Sequence, residues 1–420
     1  MSLLIRNARV LLAFESPPGC ALRGRAMGDW PVLMGADVLV ECGTISKVGR
    51  GLKPSRGAAE IDAAGRVLMP GFTDCHTHAC WAGDRLDEWD QKRAGTPYLD
   101  ILARGGGIMS TVRAVRAAAP ALLAAMLRAR LERMLALGST TIEVKSGYGL
   151  SKAAEMKMLN AIAQGAVGFA GTVVPTALLG HAIDADAPDA EAFVRETIDS
   201  TLPAVSAKFP GIAVDAYCER GAWGLDDCRV LFEIAMQRGH PIRVHADQFN
   251  SLGMIAINTE WSARGHAMRS IDHLEATPPA DLGALAATPT IGVLLPCTGF
   301  HTDGRYADGR ALVDAGGAAA LATNNNPGTS PCLSMPMAIA LAVRFNKLSV
   351  NEAIAAATIN GAAALGLHDR GAIAPGMRAD LLLLEHRDER MLAYEFGDNP
   401  VREAIVGGRL VTLSRANASF

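Results

Sequence analysis

The sequence predicts an α/β fold built around a mostly parallel sheet, and one pattern carries most of that prediction. After Pro70–Gly71, short β-branched runs alternate with longer stretches rich in alanine, leucine and methionine that have a helical period. Such alternation is typical of a sheet covered by helices. By itself it favours a closed (β/α)8 TIM-type barrel and an open doubly wound sheet equally. The predicted strand and helix pairs are Thr140–Val144 with Ala153–Ala163, Thr172–Pro175 with Ala190–Lys208, Gly211–Tyr217 with Asp226–Arg238, and Ile242–His245 with Ala256–Ser262.

The two ends of the chain predict a second, smaller unit made of β-strands. Turn residues separate short β-segments before residue 70, and β-character returns near the end of the chain. We therefore expect a small β-sandwich domain built from residues 1–69 and 376–420, and a central domain over residues 70–375. The predicted terminal strands are Leu3–Val10, Val38–Val40, Ile45–Val48, Arg66–Met69, Asp380–Leu384 and Glu403–Val411.

Composition and charge exclude several classes of protein. Of the 420 residues, 50% are hydrophobic and 20% are charged, which is ample material for a buried core. This composition does not fit an intrinsically disordered chain or a small disulfide scaffold. The 40 basic and 43 acidic residues leave a net charge of −3. No general attraction to nucleic acid or to an anionic membrane follows from that balance, so we expect neither as a partner.

Apolar runs and cysteine spacing indicate a soluble cytoplasmic protein. The longest apolar stretches, such as Ala117–Leu127, are shorter than the roughly 20 residues that a membrane span requires. Leu3–Ile5 is followed at once by Arg6, which does not match a secretory signal. The eight cysteines are scattered without a CxxC pair, which argues against a zinc ribbon or a thiol redox motif.

Several histidines follow predicted strands. His76 and His78 are two positions apart, so on an extended strand both side chains point the same way, about 6.5 Å apart. In a β/α barrel the carboxyl ends of the strands converge on one face, where active sites are built. We therefore predict a shared metal or catalytic site rather than scattered core histidines. The other candidates are His245 and His273, each ending a β-run, and His181, which follows the strand Thr172–Thr176 and a predicted turn at Ala177–Gly180.

Imidazole ligands with oxygen-donor partners suit Zn²⁺ or Fe²⁺, and one such divalent ion is the expected cofactor. The ion lowers the pKa of bound water from about 15.7 towards 7 and so supplies hydroxide at neutral pH. The chain has neither a Gly-x-Ser-x-Gly elbow nor a Walker lysine. Metal-assisted hydrolysis is therefore the predicted reaction class.

Longer motifs give the sequence a specific resemblance. The stretch PGFTDCHTHACWAGDR resembles the opening motif of the amidohydrolase superfamily. Together with later stretches it resembles the imidazolonepropionase family. That resemblance implies a (β/α)8 barrel and hydrolysis of a cyclic amide C–N bond, which opens 4-imidazolone-5-propanoate to N-formimidoyl-L-glutamate. The later stretches are GGGIMSTVRAVRAA, TTIEVKSGYGL, VVPTALLGHA, VHADQFNSLG, SIDHLE, NPGTSP and, more loosely, GAIAPGMRADLLLLE.

The resemblance also implies roles for particular residues. It gives His273 a catalytic role near the metal-bound water, with Gln248 and His181 beside it. An arginine offers a planar fork for the carboxylate tail of the substrate. We also expect backbone N–H groups around Gly328 and Thr329, at the start of a helix, to bind a carboxylate. The implied metal ligands are His76, His78, His245 and Asn324, and the implied substrate contacts are Arg85, Tyr148, His181, Gln248, Asn326, Gly328 and Thr329.

Three further positions are open to a structural interpretation. Glu143 and Lys145 flank the SGYG loop, and a structural ion pair is favoured over a catalytic role for them. Glu219 follows the strand Val214–Tyr217 and is a candidate for supporting the site from behind. A homodimer is expected, because barrels of this kind often dimerise.

Asn324 departs from the family pattern, which has an aspartate before the NPG segment. Asparagine can offer a carbonyl oxygen to a metal, but it cannot accept a proton from the attacking water. General-base catalysis contributes about 10²–10⁴-fold, or roughly 3–5 kcal/mol of barrier. Three interpretations stay open: an engineered inactivation, natural chemistry on a related hydantoin- or thiohydantoin-propanoate ring, or ligand binding without turnover. A deaminase on the same scaffold is a further alternative.

Overall fold

The computed structural model describes residues 2–96, 100 and 106–412. Within them, eight parallel strands form the central sheet in the order β13-β12-β11-β10-β9-β8-β7-β6. The alternation predicted from the sequence is therefore confirmed, and the arrangement is a barrel rather than an open doubly wound sheet. The barrel strands are β6 (Phe72–Asp74), β7 (Ser139–Lys145), β8 (Thr172–Gly180), β9 (Ala213–Cys218), β10 (Arg243–Ala246), β11 (Ser270–His273), β12 (Ile291–Leu294) and β13 (Ala318–Leu321).

The barrel closes through the residues that follow its first and last strands. The backbone N–H of His78 donates to the carbonyl of Asn325 at 3.0 Å, and the N–H of Asn324 donates to the carbonyl of His76 at 3.0 Å. Below this point, Asp74 accepts the Thr323 backbone N–H at 3.0 Å and its hydroxyl at 2.6 Å. The closure therefore brings the His76 segment and the Asn324 segment side by side.

The terminal strands form a second, eight-stranded sheet, as the β-rich ends predict. Its order is β16-β15-β14-β5-β1-β2-β3, and β4 also pairs with β1. Gly71 joins this sheet to the barrel, and a Cβ atom there would lie 2.2 Å from the Thr140 hydroxyl, so only glycine fits. These strands are β1 (Ser2–Leu11), β2 (Val32–Glu41), β3 (Thr44–Gly49), β4 (Ala59–Asp62), β5 (Val67–Pro70), β14 (Leu381–Leu384), β15 (Val401–Val406) and β16 (Arg409–Val411).

Helices cover the barrel in the positions that the helical periodicity predicts. A π-helical turn, Thr197–Thr201, interrupts the helix predicted over Ala190–Lys208. The turn predicted at Ala177–Gly180 is wrong, because β8 continues to Gly180. The described helices are Gly24–Met27 (3-10), Leu86–Arg93, Ile108–Ala117, Pro120–Ala136, Lys152–Ala166, Ala190–Glu196, Leu202–Lys208, Leu225–Gln237, Met254–Ala263, Pro279–Ala286, Pro296–His301, Gly309–Asp314, Met335–Phe345, Val350–Ala357, Ile359–Ala364 and Met391–Tyr394.

The boundaries of the two predicted domains, 1–69 with 376–420 and 70–375, stay predictions. Residues 1 and 413–420 of the first lie outside the described residues, as does Gly105, the first glycine of the GGGIM motif. Among the helices that are described, none has the length and apolar character needed to cross a membrane.

Candidate active site

Histidines from four strands meet at the carboxyl end of the barrel. His76 and His78 follow β6, while His245 lies in β10 and His273 ends β11. All four are buried. The ring centroid of His76 is 4.4 Å from that of His245 and 5.8 Å from that of His273. His181, directly after β8, stacks on His78 with centroids 4.8 Å apart. The structure thus brings all five sequence-predicted histidines together.

Two buried carboxylates fix which nitrogen atom these rings present. His76 Nδ1 donates to Asp272 Oδ2 at 2.6 Å, and His245 Nδ1 donates to Asp215 Oδ1 at 3.0 Å. In both rings Nε2 is therefore left with its lone pair. His76 Nε2 is buried and has no hydrogen-bond partner in the part of the chain that the structure describes. Burial and nearby Lys145 hold the pKa of His76 well below its ordinary value, so the ring is neutral.

The orphaned lone pairs fit a divalent cation. One ligand atom from each of His76, His245 and His273 lies within 4.8 Å of the other two. His78 joins the same group, because its Nε2 faces His245 Nε2 at 3.2 Å. Buried lone pairs that converge without hydrogen-bond donors are the arrangement that a metal ion satisfies. The described residues therefore form a divalent metal site. His273 is a candidate ligand here in addition to its predicted catalytic role.

A buried ionic network supports the histidines from inside the barrel. Lys145 Nζ donates to Glu143 Oε1 at 2.8 Å and to Asp215 Oδ2 at 2.7 Å. Arg243 donates to Glu143 at 3.1 Å and to Asp272 at 2.9 Å. Burial lowers the pKa of Lys145, but Asp215 and Glu143 raise it above the ordinary value overall. The favoured Glu143–Lys145 ion pair therefore exists, as part of a network that holds the metal-site carboxylates.

Sequence reasoning missed three members of this network: Asp215, Asp272 and Arg243. Each is a charged residue within a run of strand residues that is otherwise mostly apolar, and all three are fully or almost fully buried. A buried charge requires a partner, so a charge at an inward-facing strand position was the available signal. Arg243 and His245 are two positions apart on β10 and thus face the same side.

Asn324 follows β13, and its backbone N–H donates to the His76 carbonyl at 3.0 Å. Its backbone has a φ of +52°, a left-handed conformation that asparagine tolerates better than most residues. Its Nδ2 donates to Thr298 Oγ1 at 2.9 Å. Its Oδ1 is buried and has no partner among the described residues. An unpartnered amide oxygen beside the His76 segment fits a fourth, neutral metal ligand.

The NPGTS segment differs from the prediction. Asn326 Oδ1 accepts the backbone N–H of Gly328 at 2.8 Å and that of Thr329 at 2.7 Å. No helix begins there, since the next one starts at Met335. The expectation that these N–H groups open a helix is therefore wrong. Both groups are paired with Asn326 Oδ1, and their role in binding a carboxylate stays a prediction.

Arg85 lies against the same segment. A Cβ atom at Gly328 would lie 3.0 Å from Arg85 NH1, so glycine makes room for the guanidinium. Arg85 NH2 donates to Glu88 Oε2 at 2.5 Å, and Glu88 Oε1 accepts the Gly107 N–H at 3.2 Å. Arg85 Nε is buried and has no partner within residues 2–96, 100 and 106–412. The guanidinium is therefore positioned by Glu88 and retains donor capacity.

Tyr148 and His181 form a wall beside His78. Their ring centroids are 5.1 Å apart, and Tyr148 is 5.9 Å from His78. His181 Nδ1 donates to the carbonyl of Gly147 at 3.0 Å, which leaves Nε2 as an acceptor. Burial and nearby His245 lower the pKa of His181 to about 3, so the ring is neutral near pH 7. Burial raises the pKa of Tyr148, so its phenol stays protonated.

Gln248 and His273 each have a neighbour that the sequence did not reveal. The Tyr217 hydroxyl donates to Gln248 Oε1 at 2.8 Å. The Nδ1 of His273 lies 3.2 Å from both carboxylate oxygens of Glu275. Glu219 accepts the backbone N–H groups of Phe249 and Asn250 at 2.8 and 3.1 Å. Glu219 therefore holds the loop that carries Gln248.

An eight-stranded parallel barrel with histidines at the carboxyl ends of its strands defines the chain as an amidohydrolase. The amidohydrolase family model matches residues 100–412. The chain is 43% identical to the imidazolonepropionase of Herpetosiphon aurantiacus over 96% of each chain. It is 42% identical to that of Deinococcus deserti over 93% of this chain and 95% of the relative. The chain therefore belongs to the imidazolonepropionase family.

Solved structures share the fold at lower sequence identity. The 5-methylcytosine deaminase of Klebsiella pneumoniae liganded with 5-fluorocytosine has a TM-score of 0.73 and 17% identity over 97% of each chain. The guanine deaminase of E. coli has a TM-score of 0.69 and 15% identity over 98% of this chain and 99% of that chain. At such identities the likeness concerns the fold alone.

Proposed function

We propose that the chain is a metal-dependent hydrolase that opens the ring of 4-imidazolone-5-propanoate to N-formimidoyl-L-glutamate. Similarity to imidazolonepropionases over nearly the full length carries this proposal. The reaction consumes one water, breaks the bond between the ring carbonyl carbon and its nitrogen, and leaves a carboxylate and a formimidoyl group. The converging histidine nitrogen atoms support the metal dependence.

We propose His76, His78, His245 and Asn324 Oδ1 as ligands of one Zn²⁺ or Fe²⁺ ion. Imidazole nitrogen and amide oxygen are donors that these borderline cations accept. When bound, such an ion polarises a ring carbonyl and lowers the pKa of coordinated water. Asp272 and Asp215 orient His76 and His245, and this hydrogen bonding is what ligating histidines require.

The remaining residues hold the substrate and move protons. We propose that Arg85, steadied by Glu88, binds the propanoate carboxylate from beside Gly328. Tyr148 and neutral His181 face the ring, with a phenol donor and an imidazole acceptor. Asn326 and Thr329 shape the binding segment through their mutual hydrogen bonds.

Asn324 changes the proton transfer in this proposal. An aspartate at this position accepts a proton, whereas the Asn324 amide does not. We assign the task to His273, because Glu275 accepts its Nδ1 proton and leaves Nε2 with a lone pair. We therefore expect slow turnover of the chain as it stands, with His273 as the proton acceptor and Gln248 beside it.

Turnover of 4-imidazolone-5-propanoate, followed by ultraviolet absorbance with the product mass determined, tests the proposal. Hydantoin-5-propanoate and thiohydantoin-5-propanoate are run in parallel, and ammonia release is measured to detect deamination. We expect ring opening of the imidazolone with the addition of one water and no ammonia. Faster opening of a hydantoin ring, or ammonia release, contradicts the assignment, and binding without turnover of any ring indicates a silent ligand-binding protein.

The cytoplasmic location and the homodimer stay predictions. Sedimentation velocity at micromolar concentration tests the dimer directly. A single species with the mass of one chain contradicts it.

A further inference from the structure

Tyr217 contacts the predicted substrate residue Gln248, and neither sequence motif nor family resemblance points to it. It lies near the end of β9, and its hydroxyl donates to Gln248 Oε1 at 2.8 Å. Its ring centroid is 5.9 Å from that of His245 and 6.5 Å from that of His273. Tyr217 therefore borders the metal-site histidines and contacts Gln248 through its hydroxyl.

The main chain around Gln248 is also fixed. Glu219, two residues after Tyr217, binds the N–H groups of Phe249 and Asn250. Arg305 NH1 donates to the Gln248 carbonyl at 3.3 Å, and the Arg305 guanidinium lies 4.5 Å from the Phe249 ring centroid. The main chain is thus held on both sides of Gln248, while rotation about the terminal side-chain bond still decides whether the amide presents its oxygen or its NH₂ group.

The Tyr217 hydroxyl removes that freedom. A primary amide has one acceptor oxygen and one NH₂ group with two donors. Once Oε1 accepts the phenol proton, Nε2 is turned away from Tyr217. Gln248 then offers donors to a bound ring rather than an acceptor. A phenylalanine at position 217 keeps the aromatic packing but leaves the amide free to turn either way.

We propose that Tyr217 is a positioning residue that sets ring specificity by making Gln248 a hydrogen-bond donor. The inference rests on the proposed function. An imidazolone ring carries one nitrogen with a free lone pair, which accepts from an N–H group. A hydantoin ring carries hydrogen on both nitrogen atoms, so a donor facing that position meets a second donor. Unpaired polar groups in a buried site are a strong source of discrimination.

The test compares KM for 4-imidazolone-5-propanoate with the inhibition constant of hydantoin-5-propanoate in the wild-type chain and in Tyr217→Phe. We expect KM to rise about five- to tenfold, the worth of one hydrogen bond, while kcat changes less than twofold. The preference for the imidazolone over the hydantoin should fall by a similar factor. The matched control is Tyr394→Phe, which removes an exposed hydroxyl in the terminal β-rich region and should change neither constant.

Gln248→Glu is the second variant, because a carboxylate still accepts from Tyr217 but offers only acceptors to the ring. It should reverse the preference in favour of hydantoin-5-propanoate. An unchanged preference in both variants, with wild-type melting temperatures, overturns the inference and leaves the proposed function intact.

Absence of wild-type turnover contradicts the proposed function instead. The calorimetric Kd of hydantoin-5-propanoate then decides the inference alone. A Kd at least threefold lower in Tyr217→Phe supports it, and an equal Kd overturns it.

Discussion

The two sides of the candidate metal site are built from different chemical groups. On the histidine side, His76 and His245 each donate to a buried carboxylate, and that carboxylate is bonded to Arg243 or Lys145. On the side formed by the segment after β13, Asn324 is neutral, and within the described part of the chain its side chain is held by the Thr298 hydroxyl. The orientation of each histidine ring is therefore fixed by a chain of two bonded groups, whereas the orientation of the Asn324 side chain depends on one hydrogen bond.

The contrast between the two sides indicates that metal binding and proton transfer depend on different groups. The buried network around the histidines contains three acids, Glu143, Asp215 and Asp272, against the two bases Lys145 and Arg243. One negative charge is thus left over beneath the ligands to favour a cation. The Asn324 side adds no charge and accepts no proton. We therefore propose that asparagine at position 324 lowers the rate of the chemical step far more than it lowers metal affinity.

The largest effect is expected from removing a nitrogen on the histidine side. His245→Gln should reduce bound metal and turnover to background, because the imidazole Nε2 lone pair that would bind the metal is gone and Asp215 loses its histidine partner. Metal content per chain is measured by inductively coupled plasma mass spectrometry. His240→Gln is the control, since His240 is buried but bonds only to Ile212 and Ser206. Full metal content in His245→Gln would refute the proposed ligand set.

A smaller loss of metal binding is expected when the Asp272 carboxylate, which accepts from His76 Nδ1, is replaced by an amide. Asp272→Asn should weaken metal affinity by about 10–100-fold, the usual cost of losing such a partner. It should also lower the free energy of unfolding by about 1.5–3 kcal/mol, the worth of one hydrogen bond to a charged group, because Arg243 loses the Asp272 carboxylate but keeps Glu143. Competition with a chelator and urea unfolding measure the two quantities. Unchanged values in both would show that the network is dispensable.

A substitution at Arg85 tests substrate binding separately from metal binding. Arg85→Lys keeps the charge but loses the planar fork, so KM for the carboxylate-bearing ring should rise about tenfold with metal content unchanged. Steady-state kinetics with the propanoate and with its methyl ester show whether the rise in KM requires the carboxylate tail. If Arg85→Lys raises KM by the same factor for the propanoate and for its methyl ester, Arg85 does not bind the carboxylate tail.

The smallest effect is expected at the residue that holds Asn324. Thr298→Val removes one buried hydrogen bond, worth about 0.5–1.5 kcal/mol of unfolding free energy. Metal affinity should fall no more than a few-fold, because Asn324 Oδ1 is still present. A loss as large as that in Asp272→Asn would show that the two sides are equally important for metal binding.

The sequence predicts the histidines of this site well but predicts poorly what lies behind them. His245 and His273 end recognisable β-runs, so their convergence follows from barrel geometry. Asp215 and Asp272 reach the histidines that they orient only when neighbouring strands pair in the correct register. No local sequence pattern specifies that register. The strand Ala318–Leu321 has the composition of a helix, yet it is a buried strand paired with Ile291–Leu294, because strand pairing in the barrel overrides the local preference. Asn326 similarly captures the N–H groups of Gly328 and Thr329 by a local turn that motif matching does not distinguish from a ligand site.

The most direct test of the central claim compares the chain with its Asn324→Asp variant, measuring kcat for 4-imidazolone-5-propanoate and metal affinity on the same preparations. We predict a kcat about 10²–10⁴-fold higher in Asn324→Asp, the usual worth of a general base, with metal affinity changed by no more than about tenfold. Equal kcat values, or a gain that disappears once both proteins are saturated with metal, would contradict the claim.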